Sequence, residues 1–293
     1  MKSWRLVLAA IALFFVGDRL GALLLERVLM ASPQRFSRMY AGKLDADIVC
    51  VGNSRGVYLL DSAEIKSATD QSTANISHNG LTAQMAQALF SDYLEHNQKP
   101  RVVMIEASCV TVATAKGIVS EFKPFWGNSQ RLQKLGQQYS ETVANATKVT
   151  RLYQFNSELY LRAVYYLLRG KSDQFGMLSA TITQALIDEV ERMEPFKMVI
   201  QPAELVALHE MIADAKRQGI EVRLVYAPYL PQYAAKMSNL DEFLKDIGEG
   251  AGIEPIDLTR TLDADSQFMD RVHMNASGTT ALTKMLIERG VFN

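Results

Sequence analysis

Ser54, Asp270 and His273 are the residues of this chain whose types and spacing suit nucleophilic chemistry. Asp270 stands three residues before His273, close enough within one turn for a carboxylate to hold one imidazole nitrogen while the other faces a serine. Ser54 lies in Ile48-Val49-Cys50-Val51-Gly52-Asn53-Ser54-Arg55-Gly56. The short β-branched run predicts a buried strand, and Gly52 and Asn53 a sharp turn. Val57 to Ala68 then predicts a helix, so Ser54 falls where a strand hands over to a helix N-terminus. Two readings of Ser54 follow: a hydroxyl that caps the helix, or a nucleophile with His273 as general base and Asp270 as its orienting acid.

Three motifs carry a family resemblance. Gly52-Asn53-Ser54 after the first strand, Asn75-Ile76-Ser77-His78-Asn79-Gly80 after the second, and Asp270-x-x-His273 near the end resemble those of the SGNH hydrolases, or GDSL-type esterases. The resemblance runs from about Leu44 to the end, apart from a long insertion. It implies a flavodoxin-like sheet, Ser54 as nucleophile and its backbone N–H as one oxyanion donor. Gly80 would supply a second backbone donor, with His273 as base and Asp270 as its partner. The family's third motif departs: Arg101 to Ser108 is the matching strand, and no Gly-x-Asn-Asp follows it. The Ser108 hydroxyl and the Asn79 amide are the two open replacements for the absent side-chain donor. In layout the chain is similar to membrane-anchored relatives that modify cell-surface polysaccharides.

The elements that must position these residues read as an α/β domain over residues 44–293. Five predicted strands alternate with helices: Ile48 to Val51, Ser72 to Ser77, Arg101 to Ala107, Glu221 to Ala227 and Glu254 to Leu258. That alternation predicts a doubly wound parallel sheet, in keeping with the flavodoxin-like one that the resemblance implies, and it brings the ends of the first two strands beside the loop before the last helix, Ser277 to Arg289. Predicted helices cover Leu81 to His96, Ala203 to Gln218 (closed by Gly219) and Leu240 to Ile247. His78 reads as a loop residue with a local hydrogen bond, and Asp257 as a structural strand-end carboxylate. Glu106 reads either as a salt-bridged carboxylate beneath the site or as a recognition group.

Residues from about 111 to 196 break the alternation and read as a helical insertion rich in aromatics. An aromatic stripe at helical spacing reads as core. Phe125-Trp126-Gly127-Asn128 is the exception, because a loop tryptophan can stack on a sugar ring. Trp126, Arg55 and Tyr229 are therefore the candidate substrate contacts. Arg55 would face an acidic sugar or pair with a neighbouring carboxylate, and Tyr229 sits in a loop at the carboxyl edge of the sheet.

The N-terminus differs in kind. Lys2 and Arg5 precede an apolar run from Leu6 to Val16, and the helical pattern continues past Gly17-Asp18-Arg19 to Met30. With no small-x-small cleavage site, residues 1–30 read as an uncleaved signal anchor with its basic end in the cytoplasm; a cleaved signal peptide is the alternative. Residues 31–43, with Pro33, read as a linker. These segments predict a single-pass protein of the inner membrane whose catalytic domain faces the periplasm or the cell exterior.

A net charge of −1 and no lysine or arginine stripe argue against a nucleic-acid partner. Cys50 and Cys109 read as small core residues, and the four histidines show no metal-ligand spacing, so neither metal nor cofactor is expected. The expected partners are a polysaccharide or other acylated envelope substrate, the membrane, and other membrane proteins of polysaccharide biosynthesis or acyl transfer. The functional expectation is an O-acetyltransferase or acetylesterase. A non-catalytic carbohydrate-binding or assembly subunit and an envelope lipid esterase are the alternatives.

Overall fold

The structure is a computed structural model that describes residues 3–114, 116–173 and 178–292. Lys2, read above as part of the basic N-terminus, lies outside the described residues, as does the part of the insertion at 174–177. The chain divides into two compact units, Met1–Lys43 with Ala115–Asp173, and Leu44–Thr114 with Gln174–Asn293.

The second unit is built on five parallel strands: β1 Ile48–Val51, β2 Thr73–Asn75, β3 Val102–Glu106, β4 Glu221–Tyr226 and β5 Ile256–Asp257. Their order is β2-β1-β3-β4-β5. Val49 pairs with Ala74 on one side and Val103 on the other, so β1 is central, and every residue of β1 and β3 is buried. Continuous apolar runs of this kind suit a sheet covered by helices on both faces. From β1 the chain goes to β2 on one side and then to β3 on the other. The carboxyl end of β1 is therefore the switch point where such sheets leave a crevice.

Local signals explain the flanking helices. Thr82 accepts the Met85 N–H to start Ala83–His96, and Asn275 accepts the Gly278 N–H to start Ala276–Glu288. Pro202 opens Pro202–Arg217, and Gly219, at φ 71°, ends it. Ile182, Ile187 and Val190, which the sequence reading assigned to the insertion, pack in the core of this unit with Ile48, Leu258 and Phe268.

The long helix expected after Ser54 is instead a single turn, Ser54–Val57, followed by a separate helix, Ser62–Thr69. Asp61 at the break accepts the Ala63 and Glu64 N–H groups and starts the second helix afresh. Ser54 is thus followed by no long helix dipole.

The first unit contains the helix Ser3–Ala31, long and apolar enough to cross a membrane. The stretch read as a linker folds as the helix Arg35–Tyr40, capped by Gln34. Phe36, Met39 and Tyr40 share its buried face. The Phe36 ring meets Phe122 edge-on at 4.9 Å, and Tyr40 stacks on Phe125 at 5.0 Å. Pro33 ends the first helix without preventing a second.

Candidate active site

Ser54 follows β1 after Gly52 and Asn53, and the turn that presents it depends on two close approaches. A Cβ at Gly52 would lie 2.7 Å from Glu106 Cβ, and one at Gly56 would lie 2.6 Å from Ser77 Oγ. Glycine is needed at both positions so that the turn fits against the ends of β3 and β2. Asn53, not Ser54, caps the single turn: its side-chain oxygen accepts the Arg55 N–H at 3.0 Å. The capping reading of Ser54 therefore falls away, and its hydroxyl is left to another partner.

That partner is His273. Its Nε2 lies 2.7 Å from Ser54 Oγ, and its Nδ1 lies 2.8 Å from Asp270 Oδ2. The other Asp270 oxygen accepts the Val272 and His273 N–H groups at 2.8 and 2.9 Å. Burial opposes ionisation of Asp270, but the hydrogen bonds from the His273 ring and these two amides outweigh it and hold the carboxyl below its ordinary value. An ionised carboxylate on Nδ1 fixes the tautomer with its proton there, so Nε2 presents a lone pair to the serine hydroxyl.

The histidine loop is itself fixed at several points. Met269 N–H donates to His273 O at 3.0 Å, and Leu230 N–H to Arg271 O at 3.2 Å. Asn275 Nδ2 donates to Ser266 O at 2.8 Å and to Ala180 O at 3.1 Å. The Tyr58 ring meets the imidazole edge-on at 5.8 Å.

The loop after β2 is tied to the same turn. His78 N–H donates to Gly52 O at 3.2 Å, and Asn75 Nδ2 to Gly56 O at 2.9 Å. His78 Nδ1 donates to Asn79 O at 3.0 Å, a local bond of the kind read from the sequence. Gly80, at φ 73°, follows in the same loop. The Asn79 side chain is exposed.

Beneath the turn lies a buried polar cluster. Glu106 is 0% exposed and pairs with Arg55 at 3.5 Å. Its Oε2 accepts the Ser108 hydroxyl at 2.5 Å and the Ser108 N–H at 3.2 Å, and its Oε1 accepts the Ala227 N–H at 3.4 Å. Arg55 donates to the Ala227 and Pro228 carbonyls and lies against Tyr229, 3.4 Å from the ring centroid. One carboxylate and one guanidinium thus clamp the ends of β3 and β4 to the turn that carries Ser54.

This cluster corrects three readings. Arg55 is 5% exposed and packed among Glu106, two carbonyls and two tyrosine faces, so of its two readings the pairing with a neighbouring carboxylate holds and the acidic sugar falls away. Tyr229 is buried, with its hydroxyl 3.1 Å from that of Tyr226, and lines no open surface. Ser108 Oγ has one hydrogen, which the short charge-assisted bond to Glu106 takes, so its hydroxyl is not free for an oxyanion. Trp126 belongs to the other unit, where it is buried; a Cβ at Gly136 would lie 2.4 Å from its ring. It is a core residue and offers no face to a sugar.

Asn53 is the residue that the sequence reading passed over. Its oxygen is engaged by the Arg55 N–H and lies 3.1 Å from Ser108 Oγ, which leaves Nδ2 without a hydrogen bond among the described residues. The signal was present: asparagine is among the strongest N-caps, and it immediately precedes the serine.

Cys50 and Cys109 are buried and unpaired, and burial pushes the Cys50 thiol up to about 12. Among the described residues no group of three or more His, Cys, Asp and Glu side chains is arranged to hold a metal ion. Comparison with models of known protein families gives no match, and neither does comparison with curated protein sequences.

Proposed function

We propose that the chain is a membrane-anchored serine acyl-ester enzyme of the SGNH type, an O-acetyltransferase or acetylesterase acting on exported or cell-surface polysaccharide. The observation that carries the proposal is the continuous hydrogen-bonded line from Asp270 through His273 to Ser54. The strand order, with the serine at the switch point, is that of a flavodoxin-like sheet and agrees with this reading. The anchor is the helix Ser3–Ala31, with Arg5 on the cytoplasmic side of the inner membrane and the α/β unit in the periplasm or outside the cell.

In the proposed mechanism His273 Nε2 takes the Ser54 proton as Oγ attacks the ester carbonyl carbon. The backbone N–H groups of Ser54 and Gly80 and Asn53 Nδ2 donate to the resulting oxyanion, with Asn53 standing in for the asparagine absent after β3. Collapse breaks the ester C–O bond, and His273 returns its proton to the leaving alcohol. Water or a sugar hydroxyl then attacks the acyl-serine as His273 takes its proton; the acyl C–Oγ bond breaks, and His273 returns the proton to Ser54. The chemistry needs neither metal nor cofactor, and the expected partners are the acylated polysaccharide and the membrane proteins that deliver it.

The test is intact-mass detection of a fluorophosphonate adduct on the full chain in detergent. One adduct is expected on the wild type and none on Ser54→Ala or His273→Ala, with unchanged thermal unfolding. Ester turnover should fall by about 10⁴- to 10⁶-fold in both variants. The absence of an Asn-bearing loop after β3, with Ser108 already committed, favours a second reading, a non-catalytic carbohydrate-binding or assembly subunit. No adduct on folded wild-type protein, together with measurable glycan binding, would replace the first reading by the second.

A further inference from the structure

The helix Ser3–Ala31 changes character at Asp18. Every residue from Trp4 to Gly17 is exposed, whereas from Asp18 onward one side is covered, with Ala22 and Leu29 buried and Leu20, Leu23 and Leu24 still exposed. What covers it at that point is the joint between the helix Glu141–Val149 and the 3-10 turn Arg151–Phe155. Asp18 accepts the Arg151 N–H at 2.8 Å, the Leu152 N–H at 3.1 Å and the Thr150 hydroxyl. Arg19 donates to the Lys148 and Val149 carbonyls at 3.4 and 3.5 Å. Adjacent residues of opposite charge thus cap one segment at its N-terminus and the other at its C-terminus, each with the sign that the segment end favours.

The joint carries apolar side chains that the unit does not cover. Val149 is 60% and Leu152 40% exposed, and Leu152 also packs over Gly21, where a Cβ would meet it at 3.1 Å. Lys148 and Arg151, also exposed, flank them. An apolar tip between basic residues is the pattern of a segment lying in a membrane interface.

Helix geometry fixes the depth. A hydrocarbon core of about 30 Å takes about 20 residues at about 1.5 Å each. With Trp4 at the inner interface, the outer boundary falls near Leu24. Asp18 is then six residues, about 9 Å, short of that boundary, within the roughly 5–10 Å that interfacial segments penetrate. An isolated aspartate at this depth is costly, and here two amides, a hydroxyl and Arg19 surround it.

We propose that the joint at Lys148–Leu152 is a second membrane contact, seated in the outer leaflet beside the anchor. Val149 and Leu152 enter the acyl region, while the stems of Lys148 and Arg151 carry their charges up to lipid phosphates. The inference rests on the reading that the N-terminal helix spans a bilayer. It adds that the 115–173 segment is held at the membrane by its own residues as well as by the helix.

The test uses the full chain in nanodiscs of phosphatidylcholine and phosphatidylglycerol. Val149→Cys, Leu152→Cys and Leu13→Cys are each labelled with an environment-sensitive fluorophore; the native cysteines are buried, and unlabelled wild type checks this. A nitroxide just below the lipid headgroups should quench the labels at positions 149 and 152, and aqueous iodide should not. A nitroxide near the midplane should quench the label at position 13. Labels at 149 and 152 open to iodide, or shielded from both quenchers by protein, would overturn the proposal while the label at 13 still reported a spanning helix. A label at 13 that the midplane nitroxide failed to quench would overturn the spanning reading, and the second contact with it.

Discussion

Asp270 in the α/β unit and Asp18 in the helical unit each hold two consecutive backbone N–H groups and a side-chain donor from the segment they cap, and Asp18 also takes its neighbour Arg19. Asp270 takes the amides of Val272 and His273 and the imidazole of His273. Asp18 takes the amides of Arg151 and Leu152 and the hydroxyl of Thr150. Both shape a turn by supplying the acceptor that its amides lack. They differ in what lies beyond the side-chain donor. The imidazole has a second nitrogen, 2.7 Å from Ser54 Oγ, and so relays the effect of its carboxylate to a serine hydroxyl. The threonine hydroxyl ends its line. The same local capture of a turn is therefore architecture in one place and sets an imidazole against a serine hydroxyl in the other.

Asp270→Asn should separate the two most sharply. The amide keeps an oxygen for the Val272 and His273 N–H groups but turns an NH₂ toward His273 Nδ1. The ring must then carry its proton on Nε2, where it donates to Ser54 instead of accepting. Ester turnover should fall by about 10⁴-fold, with the fold intact. Asp18→Leu should leave turnover per folded molecule unchanged on a soluble ester. Equal losses in the two variants, measured with the same chromogenic acetate, would break the comparison.

The reciprocal effect is on stability. Asp18→Leu strips two amides and a hydroxyl of their acceptor and should destabilise the helical unit by about 2–3 kcal/mol. Asp270→Asn should cost less than about 1 kcal/mol, because its amide acceptor survives. Thermal unfolding of both variants in the same detergent, followed by far-ultraviolet circular dichroism, checks the order. Trp4 and Trp126 both lie in the helical unit, so tryptophan fluorescence adds a separate reading for Asp18→Leu alone.

Sequence separation explains which of these arrangements could be read in advance. Asp270 and His273 are three residues apart, so one turn suffices to pair them, and the spacing was legible. The strands were legible because Ile48 to Val51 and Val102 to Ile105 are continuous apolar runs. Asp18 meets partners more than 130 residues away, and nothing in Gly17-Asp18-Arg19 names them. Of the two readings of Arg55, the carboxylate pair holds and the acidic sugar does not, and the spacing could not choose between them for the same reason: Glu106, Ala227, Pro228 and Tyr229 arrive from the ends of β3 and β4. A position beside Ser54 left substrate open, but at the end of a parallel strand the nearest neighbours are the ends of the next strands. The supposed linker did carry its signal. Phe36, Met39 and Tyr40 stand at helical spacing behind the capping Gln34, and Pro33 obscured them.

Acid gives the smallest effect and a check on the sign of the electrostatics. The folded chain holds Asp270 below its ordinary value, although burial alone would raise it, because the imidazole and two amides favour the carboxylate. Between its folded and unfolded values the unfolded chain binds the extra proton, so falling pH favours unfolding. The stability that Asp270 contributes is fully present above the unfolded carboxylate range, near pH 4, and is lost as pH falls through the lower folded value. Asn at this position does not titrate. The gap in unfolding midpoint between wild type and Asp270→Asn should therefore hold constant from about pH 7 to pH 5 and close below about pH 4. Urea titrations of the two proteins across that range measure it. A gap that widened in acid would mean that the fold prefers the protonated carboxyl, and Asp270 would then not be the anion that fixes the His273 tautomer.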